Sequence, residues 1–315
     1  MRIVYLGSSE FGIPCLESLK DGPHQLIQIF TQPAQPAGRG RHPRPTPVAE
    51  WAARRGVPCE ETANINAPES IRRLTECRGE LLVVIAFGQK ISQEVIVLFP
   101  HGAINVHASL LPLYRGAAPI NAALIDGRSE SGISIITLAD RMDAGLILGQ
   151  SRTEILPDDN AQSLHDRLAL LSPDLLLTVI GQIAAGTATY TPQDESRVTY
   201  AKKLKKADGF LDFARPAVEL ANRIRGLWPW PGAQASFVSA SSGKCYPVAF
   251  ARAVAVHTHD QPGTFGLLDA NLDIVCGDGR LRILDLKPAG RNLMSFDAFA
   301  RGREVKPGDL FLSIE

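Results

Sequence analysis

The 315-residue sequence has no low-complexity tract, no net charge and no long apolar run, and each absence removes a class of protein. With 45% hydrophobic and 21% charged residues and no biased segment, a globular chain with ample core is expected, with disorder at most local. The longest strongly apolar run, residues 81–87, is too short to cross a bilayer, and Met1-Arg2 leads into a strand pattern instead of a signal peptide. A cytoplasmic protein without membrane contact is expected. Cysteine is sparse: Cys15, Cys59, Cys77, Cys245 and Cys276 are odd in number, far apart, and form no C-x-x-C spacing, which argues for reduced thiols and against a disulfide framework. The first turn, Gly7-Ser8-Ser9, lacks the G-x-G-x-x-G fingerprint, so a nicotinamide-dependent oxidoreductase finds little support.

What is present alternates. Residues 2–7, RIVYLG, form a continuous apolar run that ends in a glycine turn, with a helical pattern over 11–19 and a second strand pattern over 25–31. Helices near 48–55 and 68–76 and a strand over 81–87 continue the series. Such alternation predicts a doubly wound, mostly parallel Rossmann-like sheet, whose ligands bind beyond the strand ends. Residues 32–45, with four prolines, two glycines and three arginines, read as a loop without helix or strand, either a solvated connection or a binding loop in which Arg39 and Arg41 contact an anion.

The chain is organised around residues 104–120, INVHASLLPLYRGAAPI. Asn105 and His107 stand two apart on a predicted strand and therefore on one face, an amide donor beside a titratable imidazole. Pro112 ends the strand, because it supplies no ladder donor. The pair reads as a reaction centre or as ordinary polar residues near a sheet edge. A helix is expected over 117–126, then two strands within 132–150 joined by a turn that holds Asp143-Ala144-Gly145. An Asp before a Gly is ordinary turn chemistry, but a carboxylate returned to His107 would orient and charge the imidazole. A long helix over 161–184 closes this part.

Composition then shifts. Residues 1–200 carry 17 Lys and Arg against 21 Asp and Glu, whereas residues 201–315 carry 16 against 12. The basic end permits a polyanionic partner. Lys202, Lys203, Lys205 and Lys206 cluster where a polar stretch at 189–209 ends. Beyond a helix near 216–227, short strand patterns at 235–238, 248–254, 273–276, 281–286 and 310–313, punctuated by Gly, Asp and Pro, predict a small β-barrel. The expected division is a catalytic domain over 1–189, a linker over 190–207 and a C-terminal OB-like domain over 208–315.

Asn105-Val106-His107, followed by Ser109-Leu110-Leu111-Pro112, Tyr114-Arg115-Gly116-Ala117-Ala118-Pro119 and Asp143-Ala144-Gly145, resembles the folate-dependent formyltransferases. Gln35-Pro36-Ala37-Gly38-Arg39-Gly40, Trp228-Pro229-Trp230-Pro231-Gly232-Ala233 and Lys287-Pro288-Ala289-Gly290 extend the resemblance over nearly the whole chain. Ser8-Ser9-Glu10 departs from the family's usual Thr-Pro-Asp in the first turn.

The resemblance implies formyl transfer from 10-formyltetrahydrofolate, the co-substrate, to an amine. The fuller pattern points to the α-amino group of methionine on initiator tRNA, a step of translation initiation. It implies Asn105, His107 and Asp143 as catalytic residues. Phe87, Gly88, Gln89, Ser109, Leu110, Leu111 and Pro112 are implied around the folate, with Arg39 and Arg41 on the tRNA; the charge balance after residue 200 makes the four lysines either contacts for tRNA phosphates or a solvated surface. Pro112, Arg115 and Gly116 also shape the loop. No metal and no cysteine nucleophile is required, and a monomer is expected. A sugar-nucleotide or ribonucleotide formyltransferase would share the Asn/His/Asp set without needing the arginine-rich loop or the basic end. A non-catalytic RNA-binding protein would leave that set without purpose.

Overall fold

The computed structural model describes residues 1–37, 42–258 and 263–314. The chain forms two compact units that alternate along the sequence: Met1–Gly116, Ser131–Thr153 and His165–Tyr200 in the first, and Ala117–Glu130, Glu154–Leu164 and Ala201–Glu315 in the second.

The first unit is built on a seven-stranded sheet. Its strands are β1 (Arg2–Gly7), β2 (Gln25–Thr31), β5 (Cys59–Glu61), β6 (Leu81–Ile85), β7 (Ala103–His107), β9 (Glu130–Thr137) and β10 (Ile147–Glu154), in the order β10-β9-β7-β6-β1-β2-β5. β1 and β6 are nearly all buried, apolar on both faces and parallel to one another, as strands covered on both sides by helices must be. β2 and β7 add parallel on either side, and β9 turns back antiparallel to β7 with His107 opposite Ser134. The sheet is therefore mostly parallel, as expected. The order reverses at β1, which sends the chain first to β2 and later to β6, and loops at the carboxyl ends beside such a reversal make the ligand crevice of doubly wound folds.

Around this sheet run α1 (Ile13–Asp21), α2 (Pro47–Arg55), α3 (Pro68–Cys77), α4 (Gln93–Ile96) and most of α6 (Ala161–Ala185). α2 shows how local chemistry fixes an end: the Thr46 hydroxyl accepts from the Ala49 N–H at 3.1 Å, Pro47 takes the first turn, and Gly56 closes the helix at φ 66°. Residues 32–45 depart from the expectation of an unstructured loop. β3 (Gln35–Ala37) and β4 (His42–Arg44) pair antiparallel with Pro36 opposite Pro43; a two-stranded ribbon leaves alternate backbone N–H groups unpaired, so prolines are tolerated there. Arg39 and Arg41 lie outside the described residues. Among the described residues, α6 is the one helix long and apolar enough to cross a membrane. Asp166, Arg167 and Asp174 interrupt it, and Leu164, Leu168, Leu176, Val179 and Ile180 are buried, a pattern that a core helix also shows.

Short elements follow: β8 (Arg115–Gly116), α5 (Pro119–Ile125) and β11 (Tyr200–Ala201). In the second unit α5 packs on α7 (Ala217–Leu227). Gly226 permits this approach, since a Cβ there would come within 2.7 Å of Ile125 Cγ1, and the Asn121 amide donates to the Gly226 carbonyl at 2.7 Å. The barrel strands are β12 (Ala233–Val238), β13 (Cys245–Val256), β14 (Ile274–Val275), β15 (Arg280–Pro288), β16 (Met294–Ser295) and β17 (Leu310–Leu312). They run in the order β14-β15-β13-β12-β17, with β16 on β15. Bridges from Leu267 to Leu310 and from Leu268 to Ile274 nearly close the barrel. Phe237, Phe250, Phe299 and Phe311 fill it, with ring centroids 5.2 to 5.4 Å apart in three pairs, and α8 (Phe296–Arg303), which the sequence pattern did not announce, supplies Phe299.

Candidate active site

β7 delivers Asn105 and His107 to one face at its end, Asn105 half-buried and His107 only 6% exposed. The turn between β9 and β10 returns Asp143, whose side chain is 15% exposed, so that its Oδ2 lies 3.5 Å from His107 Nδ1. Two local features hold that turn. Asp143 occupies the left-handed region at φ 52°, and Gly145 sits so close to Thr137 that a Cβ would fall 1.7 Å from the Thr137 carbonyl oxygen. The Asp-Ala-Gly sequence is thus a steric requirement at its third position.

The other ring nitrogen is also engaged. His107 Nε2 lies 2.9 Å from the Tyr114 carbonyl oxygen; a carbonyl only accepts, so Nε2 carries a proton. With Asp143 beside Nδ1, both ring nitrogens face oxygens, and only the imidazolium donates to both. Asp143 Oδ2 also accepts from the Gly116 N–H at 2.8 Å, while Oδ1 takes no hydrogen bond among the described residues. The centre therefore presents a half-buried amide, a ring suited to positive charge, and a carboxylate oxygen with spare accepting capacity. That set can stabilise a developing oxyanion and receive a proton from an attacking amine.

A family described as formyl transferase matches residues 1–180, and its C-terminal domain matches residues 203–304. The chain belongs to the formyl transferase family. A methionyl-tRNA formyltransferase of Trichlorobacter lovleyi is 37% identical over 315 residues, covering 100% of this chain and 98% of that protein. Among solved structures, an N-formyltransferase from Helicobacter canadensis, in complex with folinic acid and dTDP-3-aminofucose, is 16% identical with a TM-score of 0.66, covering 89% of this chain and 97% of that one. HypX from Aquifex aeolicus in complex with tetrahydrofolic acid is 16% identical with a TM-score of 0.61 over 95% of this chain, which spans about half of that protein at 47%. Both structural likenesses concern the fold.

Within the family frame, the residues expected around the folate are mostly tied into the protein. Phe87 is buried in the core beside β6, its carbonyl accepting from Gln32 Nε2 at 2.6 Å. Gly88 is exposed at φ 84°. Gln89 bridges to residues 62–65, accepting from the Ile65 N–H at 2.8 Å and donating to the Thr62 carbonyl at 3.2 Å. The Ser109 hydroxyl donates to the Leu113 carbonyl at 2.6 Å, Leu110 packs over Gly132, and Leu111 is buried. The side chains of Gln89 and Ser109 are thus engaged within the protein, and Phe87 and Leu111 are buried.

Supports that sequence reasoning missed explain this order. The fully buried Ser134 hydroxyl donates to the Ser109 carbonyl at 2.7 Å and accepts from the Leu111 N–H at 3.0 Å, and Gln150 Nε2 reaches both Ser134 Oγ at 2.8 Å and the Leu111 carbonyl at 2.9 Å. Neither residue stands in a period or motif that marks it. Arg115, named only for shaping the loop, is 1% exposed and paired with Glu195, Nη2 to Oε1 2.8 Å. Lys202, Lys203, Lys205 and Lys206 are all exposed in the second unit. All five cysteines are free. Burial pushes the Cys15 and Cys276 thiols up to about 12 and Cys59 up to about 11, so none of these three is a thiolate at neutral pH.

Proposed function

We propose that the chain transfers the formyl group of 10-formyltetrahydrofolate to the α-amino group of methionine carried by initiator tRNA, in the cytoplasm. The observation that carries this reading is the full-length relationship, 37% identity across both units, to a methionyl-tRNA formyltransferase. The catalytic part is assigned to residues 1–189 and the tRNA-binding part to 208–315, joined by 190–207, of which the stretch up to Tyr200 packs with the first unit.

Attack of the neutral amine on the formamide carbon places negative charge on the formyl oxygen and positive charge on the amine nitrogen. Asn105 supplies the directed donor to that oxygen. His107 contributes positive charge when protonated, its Nε2 lying 2.9 Å from the Tyr114 carbonyl oxygen and its Nδ1 3.5 Å from Asp143 Oδ2. Asp143 Oδ1 accepts the amine proton, directly or through a water, and the same proton reaches N10 of the departing tetrahydrofolate as the old C–N bond breaks. The proton balance closes without a further reactant. Phe87, Gly88, Gln89 and residues 109–112 line the folate, and Arg39, Arg41 and the four lysines meet tRNA phosphates.

A second reading, an amino-sugar nucleotide as acceptor, is supported by the likeness in fold to the Helicobacter canadensis N-formyltransferase. The two separate in one assay: labelled formyl-tetrahydrofolate offered with charged initiator tRNA, free methionine and an amino-sugar nucleotide. Label on the tRNA alone is expected; label on a small amine alone overturns the tRNA assignment and leaves the chemistry standing.

A further inference from the structure

Both groups that face His107 are themselves held by one short stretch of chain, residues 193–199. Tyr114, whose carbonyl receives the Nε2 proton, lies in the left-handed region at φ 62°, where a bulky residue is strained. Its N–H donates to Thr199 Oγ1 at 2.8 Å, and the following N–H, that of Arg115, donates to the Thr199 carbonyl at 2.9 Å. Asp143, the other strained residue, has its carbonyl and that of Gly145 fixed by Gln193 Nε2, at 2.8 Å each. Gln193 Oε1 in turn accepts from Arg115 Nε at 3.0 Å and Nη2 at 2.8 Å. The amide of Gln193 can be oriented only one way, with donor to two carbonyls and acceptor to a guanidinium. Glu195 completes the frame by receiving Arg115 and Arg141.

We infer that Gln193 and Thr199 are positioning residues for the transfer reaction: they hold the Asp143 turn and the Tyr114 carbonyl so that the His107 ring keeps one orientation with a donor on each side. The inference rests on the formyl-transfer reading for its catalytic consequence but not for its geometry. Gln193→Glu is nearly isosteric and still pairs with Arg115, yet it sets a carboxylate oxygen against two carbonyl oxygens and releases the Asp143 turn. Thr199→Val keeps shape and removes the acceptor of the Tyr114 N–H; Thr199→Ser restores it.

The test uses the full chain labelled with 15N-histidine, the His107 ring resonances being assigned by their loss in His107→Ala, together with steady-state kinetics on both substrates. In folded Gln193→Glu and Thr199→Val the His107 Nδ1 and Nε2 shifts and their pH profile should move, kcat should fall between about tenfold and 100-fold, KM should change less than about twofold, and Thr199→Ser should recover both readouts. Unmoved ring resonances, or a rise in KM with kcat retained, overturn the inference. If Thr199→Val does not fold, Gln193→Glu and Thr199→Ser decide it alone. Absence of transfer by the wild type would sink the formyl-transfer reading while the resonances still report on the clamp.

Discussion

His107 is 6% exposed with both ring nitrogens facing oxygens of the chain, whereas Lys202, Lys203, Lys205 and Lys206 all lie in solvent. The first region works by geometry: both nitrogens of the buried ring have a named oxygen opposite them, and one misplaced group is felt by its neighbours. The second works by charge, which acts through screened fields and adds residue by residue. Damage should therefore be abrupt in one region and graded in the other.

The abrupt side comes first. Asn105→Ala and Asp143→Ala should each lower kcat by about 100-fold to 1,000-fold, the range for a lost transition-state donor, with smaller changes in KM. Stopped assays on the folded variants measure this, and a loss confined to KM would show that these residues bind substrate without assisting the chemistry.

Next in size is a change that leaves the catalytic groups in place. Ser134→Ala strands the buried Leu111 N–H and should cost about 1–3 kcal/mol of stability, read as a lower thermal midpoint. An unchanged midpoint would mean that the loop after β7 does not depend on that hydroxyl.

The difference in how each region is held also explains what could be read in advance. Asn105 and His107 were legible because a strand's period of two puts them on one face, and β1 and β6 were legible as unbroken apolar runs. Asp143 was ambiguous from its turn alone, and the resemblance was needed to join it to His107. Ser134, Gln150, Gln193 and Thr199 were invisible, since a polar residue acquires such a role only through partners tens of residues away. The ribbon β3–β4 was missed for a related reason: proline content argues against strands in general, while an isolated pair has ladder positions that need no donor. Short β5, at Cys59–Glu61, has too little pattern to see.

The graded side is smaller per residue. Replacing Lys202, Lys203, Lys205 and Lys206 together by Gln should weaken tRNA affinity and flatten its salt dependence by roughly one slope unit per lost phosphate contact. Folate affinity should be unaffected. A salt series with folate binding as control measures both, and an identical slope would remove these lysines from the interface.

Smallest is a pH effect at the edge of the clamp. Hydrogen bonding from Arg115 holds the Glu195 carboxyl below its ordinary value. Its folded pKa is depressed, so its contribution to stability is present above the unfolded value near 4.5 and is lost as pH falls through the folded one. Because Glu195 is exposed, the contribution is small. Glu195→Gln should lower the thermal midpoint slightly at neutral pH and leave it unchanged in acid below both values. A difference that persisted undiminished in acid would assign the effect to shape instead of charge.

The central claim, that formyl transfer runs through the imidazole framed by Tyr114 and Asp143, is tested most directly by single-turnover transfer of labelled formyl to charged initiator tRNA, with wild type and folded His107→Ala at saturating folate. The account predicts efficient labelling by the wild type and a rate at least about 100-fold lower in the variant. A His107→Ala protein that forms labelled product at near the wild-type rate would contradict it.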